Sequence, residues 1–464
     1  MHSVAAITLP HGLRVVTIQR PHLHRSVVST YVDVGSRHET PAQNGLSHFL
    51  EHMLFRGTKR HPTAFALNDA IERLGGTLAA ATHGDYTLYD MGVPPEAVDD
   101  ACALLGSIFT RPVFSQIDVE KGIVREEILE SLDDDLCEVN ADNLSRSQVF
   151  GTHPLGFPIA GTLQNVERFT ERDLRAHLDR YYRAGNMVVA VCSPLPHRYV
   201  QRAIERGFAK LPSGPAMAAR VARVTQRRAR IQLRDSAGAQ TVVRIAFPTP
   251  GSDSPLSRSV DVLMRVLDDG MSTRLHRRIC DELGLAYEVS AGAELFRDVG
   301  VTDVASSVAH GSVGRLVHEV LQMLADLVDG GPTGTELQKV QHRFAFDLAA
   351  MDDDPRGLAD YYATGALYGR ARDIGQRRRE LLRLTPDDIR RAARIVFAPS
   401  RVNLTTVGNA DRDVRGAIDA ALRAFRKRLP GRAVAITMPE PFRRTLRLRV
   451  TRPVAALDSA WSPP

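Results

Sequence analysis

Apolar and polar residues alternate on either side of Pro10-His11-Gly12, through residues 7–19, and predict two short strands joined by a turn; residues 27–34 continue in the same period. The period then changes. Leu46, Phe49, Leu50, Met53 and Leu54 recur at helical spacing after the turn-forming residues 41–45, and Gly57 supplies a stop. A second helix is predicted over 64–74, ended by Gly75-Gly76, then strands over 77–89 and 91–93, then helices over 95–110 and 115–132. Strands and helices in such blocks predict an α+β domain.

The same order returns after residue 229: strand, helix, helix, paired strands, two long helices. Glu72-Arg73-Leu74-Gly75-Gly76 aligns with Asp281-Glu282-Leu283-Gly284-Leu285, and Asp118-Val119-Glu120-Lys121 with Glu336-Leu337-Gln338-Lys339. A duplicated domain is the reading, and 464 residues suffice for more than one core. Leu211-Pro212-Ser213-Gly214-Pro215 and the Ala/Arg-rich stretch after it have a linker's composition, which places the boundary near 220 and gives domains of 1–220 and 221–464. Residues 445–451 alternate arginine with Leu, Leu and Val and read as an edge strand, and Trp461-Ser462-Pro463-Pro464 is expected to fray.

Composition works by exclusion. At 43% hydrophobic and 25% charged, the chain is neither disordered nor fibrous. Its four cysteines form no C-x-x-C pair, which argues against a thiolate metal site and a disulfide framework and predicts a reducing compartment. The net charge is +6, but 54 acidic residues are mixed among the 60 basic ones. With no zinc knuckle or recognition helix beside Gln226-Arg227-Arg228-Ala229-Arg230, a mixed-charge surface is expected, not a nucleic-acid site. No apolar run approaches the ~18 residues of a membrane span, and the N-terminus lacks a signal-peptide pattern. The expectation is a cytoplasmic protein with no membrane partner.

The chemistry centres on His48-Phe49-Leu50-Glu51-His52. On a helix, residues four apart share a face with Cβ atoms about 6 Å apart, so His48 and His52 can present two imidazole nitrogens to one ion. Glu51 lies toward the same side and suits a general base. A catalytic zinc takes three protein ligands and keeps one position open, so a third donor must come from elsewhere. The acid-rich helix after Ser115 is the natural source. Glu120 and Glu127 are two turns apart on one face, while Glu126 points aside, which makes Glu127 the ligand and Glu120 an assisting carboxylate.

The run Gly45-Leu46-Ser47-His48-Phe49-Leu50-Glu51-His52-Met53-Leu54-Phe55-Arg56-Gly57-Thr58 resembles the signature of the pitrilysin family of zinc metallopeptidases, which includes insulin-degrading enzyme and mitochondrial processing peptidase. Glu120-Lys121-Gly122-Ile123-Val124-Arg125-Glu126-Glu127-Ile128 is similar to the segment where that family places its distal zinc ligand, at Glu127, and an assisting carboxylate, at Glu120. Matches at Tyr86-Thr87-Leu88-Tyr89, His153-Pro154-Leu155-Gly156 and Tyr182-Arg183-Ala184-Gly185-Asn186-Met187 extend the resemblance over nearly the whole first half.

Opposite His48, Glu51, His52, Glu120 and Glu127 the second half carries Asp261, Met264, Arg265, Gln338 and Ala345, so it cannot hold the same metal. It does carry Ser272-Thr273-Arg274-Leu275 and Leu283-Gly284-Leu285-Ala286-Tyr287, similar to the family's substrate-binding arginine and tyrosine. The resemblance implies two homologous α/β-sandwich domains forming one half of a clam-shell. It also implies a Zn2+-dependent endopeptidase acting on peptide substrates as a homodimer, with zinc facing Arg274 and Tyr287 of another subunit. The alternatives are a heterodimer with a homologous subunit and a non-catalytic scaffold member. Substrate is expected to add as a strand after Gly75-Gly76, where the family's asparagine is replaced by Ala79.

Overall fold

A computed structural model of the chain describes residues 3–370, 373–409 and 411–430; the strand expected over 445–451 and the segment at Trp461 lie outside the described residues. Eleven strands among these residues form two sheets. The first contains β1 (Ser3–Thr8), β2 (Arg14–Gln19), β3 (Ser26–Val32), β4 (Thr77–Thr82), β5 (Thr87–Val93) and β6 (Met187–Ser193), in the order β1-β2-β6-β3-β5-β4. The second contains β7 (Arg230–Arg234), β8 (Thr241–Pro250), β9 (Val289–Leu295), β10 (Val299–Val308) and β11 (Asn403–Val407), in the order β7-β11-β8-β10-β9.

The duplication is visible in these orders. In each sheet one parallel pair, β2 with β6 or β7 with β11, is followed by antiparallel pairings through the remaining three strands. β1 has no counterpart in the second sheet among the described residues. Residues 208–229, between the halves, contain no strand or helix.

The helices of the first half are α1 (Leu46–Leu54), α2 (Ala64–Arg73), α3 (Val98–Thr110), α4 (Ile117–Leu129), α5 (Ala141–Phe150), α6 (Leu163–Arg168), α7 (Glu171–Tyr181) and α8 (His197–Gly207). The second half has α9 (Ser257–Leu267), α10 (Val313–Asp329), α11 (Gly334–Ala350), α12 (Pro355–Leu367), α13 (Ile374–Leu382), α14 (Pro386–Val396) and α15 (Arg412–Arg428). Where a second α-helix was expected after α9, the segment His276–Glu282 is wound as a π-helix. The strand predicted over 77–89 is instead a hairpin: the chain turns at residues 83–86, His83 N–H bonding Tyr86 O at 2.8 Å, before β5 runs back along β4.

One face of the first sheet packs Val28, Val32, Tyr89 and Met91 against Phe49 and Leu50 of α1 and Leu105 of α3. Each of these fully buried side chains contributes roughly 1.5–3 kcal/mol of transfer free energy. The opposite face, with Tyr31, Val188 and Ala190, shares a core with Leu358, Ala359 and Ala363 of α12, a helix from the second half. Reciprocally, α5 of the first half lies on β8 and β11 of the second sheet. Each half therefore covers the other's sheet with one helix. Polar ties reinforce the exchange: Tyr31 Oη donates to Asp360 at 2.7 Å and Arg14 Nη1 to Ala366 O at 2.8 Å. Arg37, 3% exposed, pairs with both Asp85 and Asp298 and so links the hairpin turn of one half to a loop of the other.

No helix among the described residues is long and apolar enough to cross a membrane.

Candidate metal centre

Helix α1 starts at Gly45, whose φ of +95° is open to glycine at little cost. A Cβ there would also meet Gly161 Cα and Ala160 O at 2.7 Å. The helix's first N–H groups are held by Glu39, which accepts from Gly45 N at 2.9 Å and Ser47 N at 2.7 Å. Leu46, Phe49, Leu50, Met53 and Leu54 are at most 2% exposed and fix the helix's rotation against the sheet. With that face buried, His48 and His52 are turned toward α4, and Glu51 meets Thr82 of β4.

On α4, Val124 and Ile128 anchor the buried side, and Glu120 and Glu127 face α1. His52 Nδ1 lies 2.8 Å from Glu120 Oε1, and Arg56 Nε lies 2.7 Å from Glu120 Oε2. This chain of charges pins the His52 ring so that Nε2 is presented outward. His48 Nε2 is 3.4 Å from Glu127 Oε1, and His52 Nε2 is 3.6 Å from Glu127 Oε2. The rings of the two histidines lie 4.6 Å apart, and one ligand atom of each of the three residues falls within 4.8 Å of the other two. Ligands at ~2.1 Å from a tetrahedral ion are separated by roughly 3.4 Å, the edge of the tetrahedron. The three side chains are thus spaced for an ion between them.

The electrostatics suit the same role. Burial, and then His52, lowers the pKa of His48 to about 3, which keeps its imidazole neutral, the form that can ligate. His48 Nδ1 is buried and makes no hydrogen bond among the described residues, so that side of the ring is held by packing. At His52, burial opposes protonation, but Glu120, Glu51 and Glu127 outweigh it and raise the pKa. That concentration of negative charge is what a divalent cation would neutralise. Burial raises the pKa of Glu51 above the usual carboxylate range, against a hydrogen bond of 2.6 Å from Thr82 Oγ1. A carboxylate so raised is better matched to taking a proton near neutral pH.

The other expected site residues lie elsewhere. Ala79 is exposed on β4, an edge strand of the first sheet among the described residues, paired on its inner side with Asp90. Arg274 makes a bidentate pair with Glu336, at 2.7 and 2.8 Å, and contacts Gly331 O. Its Nη1 makes no hydrogen bond among the described residues. Tyr287 is 96% exposed. In the second half, the positions equivalent to the three ligands are filled by Asp261, which lies 3.6 Å from Arg377, by Arg265, which pairs with Asp347 at 2.6 Å, and by the core residue Ala345; Met264, opposite Glu51, is also in the core. Sequence reading missed Thr82, Arg56 and Glu39. Arg56 left a signal, one helical turn beyond His52; Thr82 acts across the fold, and Glu39 from the loop just before α1.

Beneath α1, His177 Nε2 lies 3.2 Å from Ser47 Oγ, and burial, with His38 and Arg180, lowers its pKa from 6.5 to about 3. It is neutral in the fold, whereas the unfolded chain takes up its proton below 6.5. Its contribution to stability is therefore full above pH 6.5 and is lost as pH falls toward 3. Glu39, raised by burial to about 7, acts in the opposite sense, favouring the fold as pH falls from 7 toward 4.5. Replacing His177 by Gln isolates the first effect: urea unfolding at pH 7 and pH 5 is expected to show a loss on acidification smaller by about 2 kcal/mol than in the parent.

A duplicated α/β half-shell with H-x-x-E-H on one helix and a distal glutamate on another defines a class of metallopeptidase, and comparison with known proteins agrees. Residues 14–163 match the model of the insulinase family, peptidase family M16, and residues 168–344 match the peptidase M16 inactive domain. The chain belongs to this family. It is 31% identical over 422 residues to an uncharacterized zinc protease of Streptomyces coelicolor, covering 88% of this chain and 90% of that one. It is 29% identical over 349 residues to the uncharacterized zinc protease YmxG of Bacillus subtilis, covering 74% and 82%. Among solved structures, a protease from Helicobacter pylori superposes with a TM-score of 0.80 at 19% identity, covering 88% of this chain and all of that one. A peptidase M16 inactive domain from Pseudomonas fluorescens gives 0.81 at 19% identity, covering 88% and 99%. At that identity the likeness is one of fold.

Proposed function

We propose that the chain is a zinc-dependent endopeptidase that hydrolyses unfolded peptides or precursor segments within a dimeric clam-shell cavity. The observation that carries the reading is the spacing of His48 Nε2, His52 Nε2 and the Glu127 carboxylate, with the raised Glu51 carboxylate beside them. His48, His52 and Glu127 are the residues that would hold zinc, a His2Glu set that leaves one position open. Zinc, when bound, supplies a Lewis acid that polarises the scissile carbonyl and makes water a stronger acid.

The chain's own residues do the rest. Glu51 accepts a proton from the attacking water and returns it to the departing amide nitrogen. Glu120 holds His52 by Nδ1 and thereby keeps Nε2 aimed at the ion. Arg274 and Tyr287 of a second copy donate hydrogen bonds where negative charge grows on the carbonyl oxygen. The free edge of β4 binds the peptide by main-chain hydrogen bonds, which favours extended over folded substrates. Ala79, with no polar side chain, leaves that grip to the backbone.

The test is a comparison of one polypeptide in two states. The purified chain is expected to cleave an unstructured quenched peptide and to leave the same sequence intact when embedded in a stably folded domain, with cleavage lost on chelation and regained with zinc. Equal cleavage of both, or cleavage indifferent to chelator, would refute the proposal.

A further inference from the structure

Glu51 is 8% exposed, and the side-chain hydroxyl that bonds its carboxylate belongs to the last residue of β4, an edge strand among the described residues: Thr82 Oγ1 donates to Glu51 Oε2 at 2.6 Å. The base on α1 is thus tied to the strand at whose outer side an extended peptide would add. Thr82 lies three residues from the exposed Ala79, and its inner partner is Thr87, whose Oγ1 donates to Val34 O at 2.8 Å.

The turn that follows Thr82 is clamped as well. Ser36 N–H bonds His83 O at 3.3 Å and Arg37 N–H bonds Gly84 O at 3.0 Å. Gly35 passes so close beneath the turn that a Cβ on it would fall 2.0 Å from His83 O. The clamping segment then runs directly to Glu39, which holds the first N–H groups of α1. One short stretch, residues 34–39, therefore sets both the strand end that carries Thr82 and the helix that carries Glu51. Their separation is fixed from two directions, and the hydrogen bond between them selects one orientation of the carboxylate.

We infer that Thr82 is a positioning residue for the reaction: its hydroxyl sets the orientation of the Glu51 carboxylate, so that a peptide held on β4 and the group that takes the proton share one rigid frame. This inference rests on the reading of Glu51 as the base. A hydrogen bond to a charged group is strong enough that its loss shows as a change of about 10- to 100-fold in rate. The peptide's main-chain contacts to the strand do not use the hydroxyl, so binding is not expected to suffer with it.

The experiment compares Thr82→Val, Thr82→Ser and Glu51→Gln with the parent for kcat, KM, zinc per chain and thermal midpoint. Thr82→Val is expected to lower kcat about 10- to 100-fold with KM within about twofold, to keep the parent's zinc content and to be rescued by Thr82→Ser. If Thr82→Val does not fold, Thr82→Ala takes its place with the same expectation. Parent-like kcat in the Val variant while Glu51→Gln is inactive would overturn the role of Thr82 alone. Equal impairment of Val and Ser, or loss of zinc in the Val variant, would overturn it too, because the hydroxyl would not then be the operative group. Full activity of Glu51→Gln would overturn the reading of the base itself.

Discussion

Replacing Glu51 with glutamine is expected to lower kcat by about 10²- to 10⁴-fold while zinc stays bound. The amide is close in size to the carboxylate and can keep the hydrogen bond from Thr82 through its carbonyl oxygen, so α1 and the ligands on it are not disturbed. What it cannot do is take a proton. The buried setting that raises the Glu51 pKa makes this loss specific, since no other carboxylate is placed to substitute: Glu120 is occupied by His52 and Arg56, and Glu127 faces the two histidines. Zinc per chain and peptide hydrolysis, measured on the same preparation, separate ligation from catalysis. Turnover unchanged in the variant would sink the mechanism.

Replacing Arg274 with alanine is expected to lower kcat/KM by about 10²- to 10³-fold, the usual consequence of removing a donor that meets a developing oxyanion. Glu336 holds the guanidinium by Nε and Nη2, leaving Nη1 without a hydrogen bond among the described residues, and Tyr287 is exposed. If each site combines Glu51 of one copy with Arg274 of another, two nearly inactive variants complement one another. Mixed in equal amounts with exchange confirmed, Glu51→Gln and Arg274→Ala chains form hybrids in which one site of two is complete, and about a quarter of parent activity returns. No recovery would mean that the sites are completed in another way.

How far the sequence foretells this site depends on how local each part is. The ligand pair on α1 was legible because a helix converts the spacing of His48 and His52 directly into a shared face, and the apolar residues between them say which face is free. Glu127 was legible for the same reason, two turns from Glu120 on one helix. Thr82 was not: it lies 31 residues from Glu51, and only the pairing of β4 beside α1 brings them together. Glu39 likewise caps α1 from a loop with no helical pattern of its own. Inside the stretch 77–89 predicted as strand, Thr82-His83-Gly84-Asp85 carries a turn's chemistry, and the hairpin turns there. The exchange of α5 and α12 has no local signature, since each helix is amphipathic toward a sheet formed by the other half. The second copy's loss of metal binding was readable from Asp261, Met264 and Arg265; that Met264 and Ala345 join its core required the fold.

Zinc held between His48, His52 and Glu127 is the premise of every step proposed above. Zinc-edge X-ray absorption on the zinc-loaded chain tests it directly. The expected spectrum has nitrogen and oxygen neighbours only, at about 2.0–2.2 Å, with imidazole scattering that is weakened in the His48→Ala chain and in the His52→Ala chain. Sulfur at about 2.3 Å, the distance of a cysteine ligand, or a spectrum unchanged by both substitutions, would contradict the account.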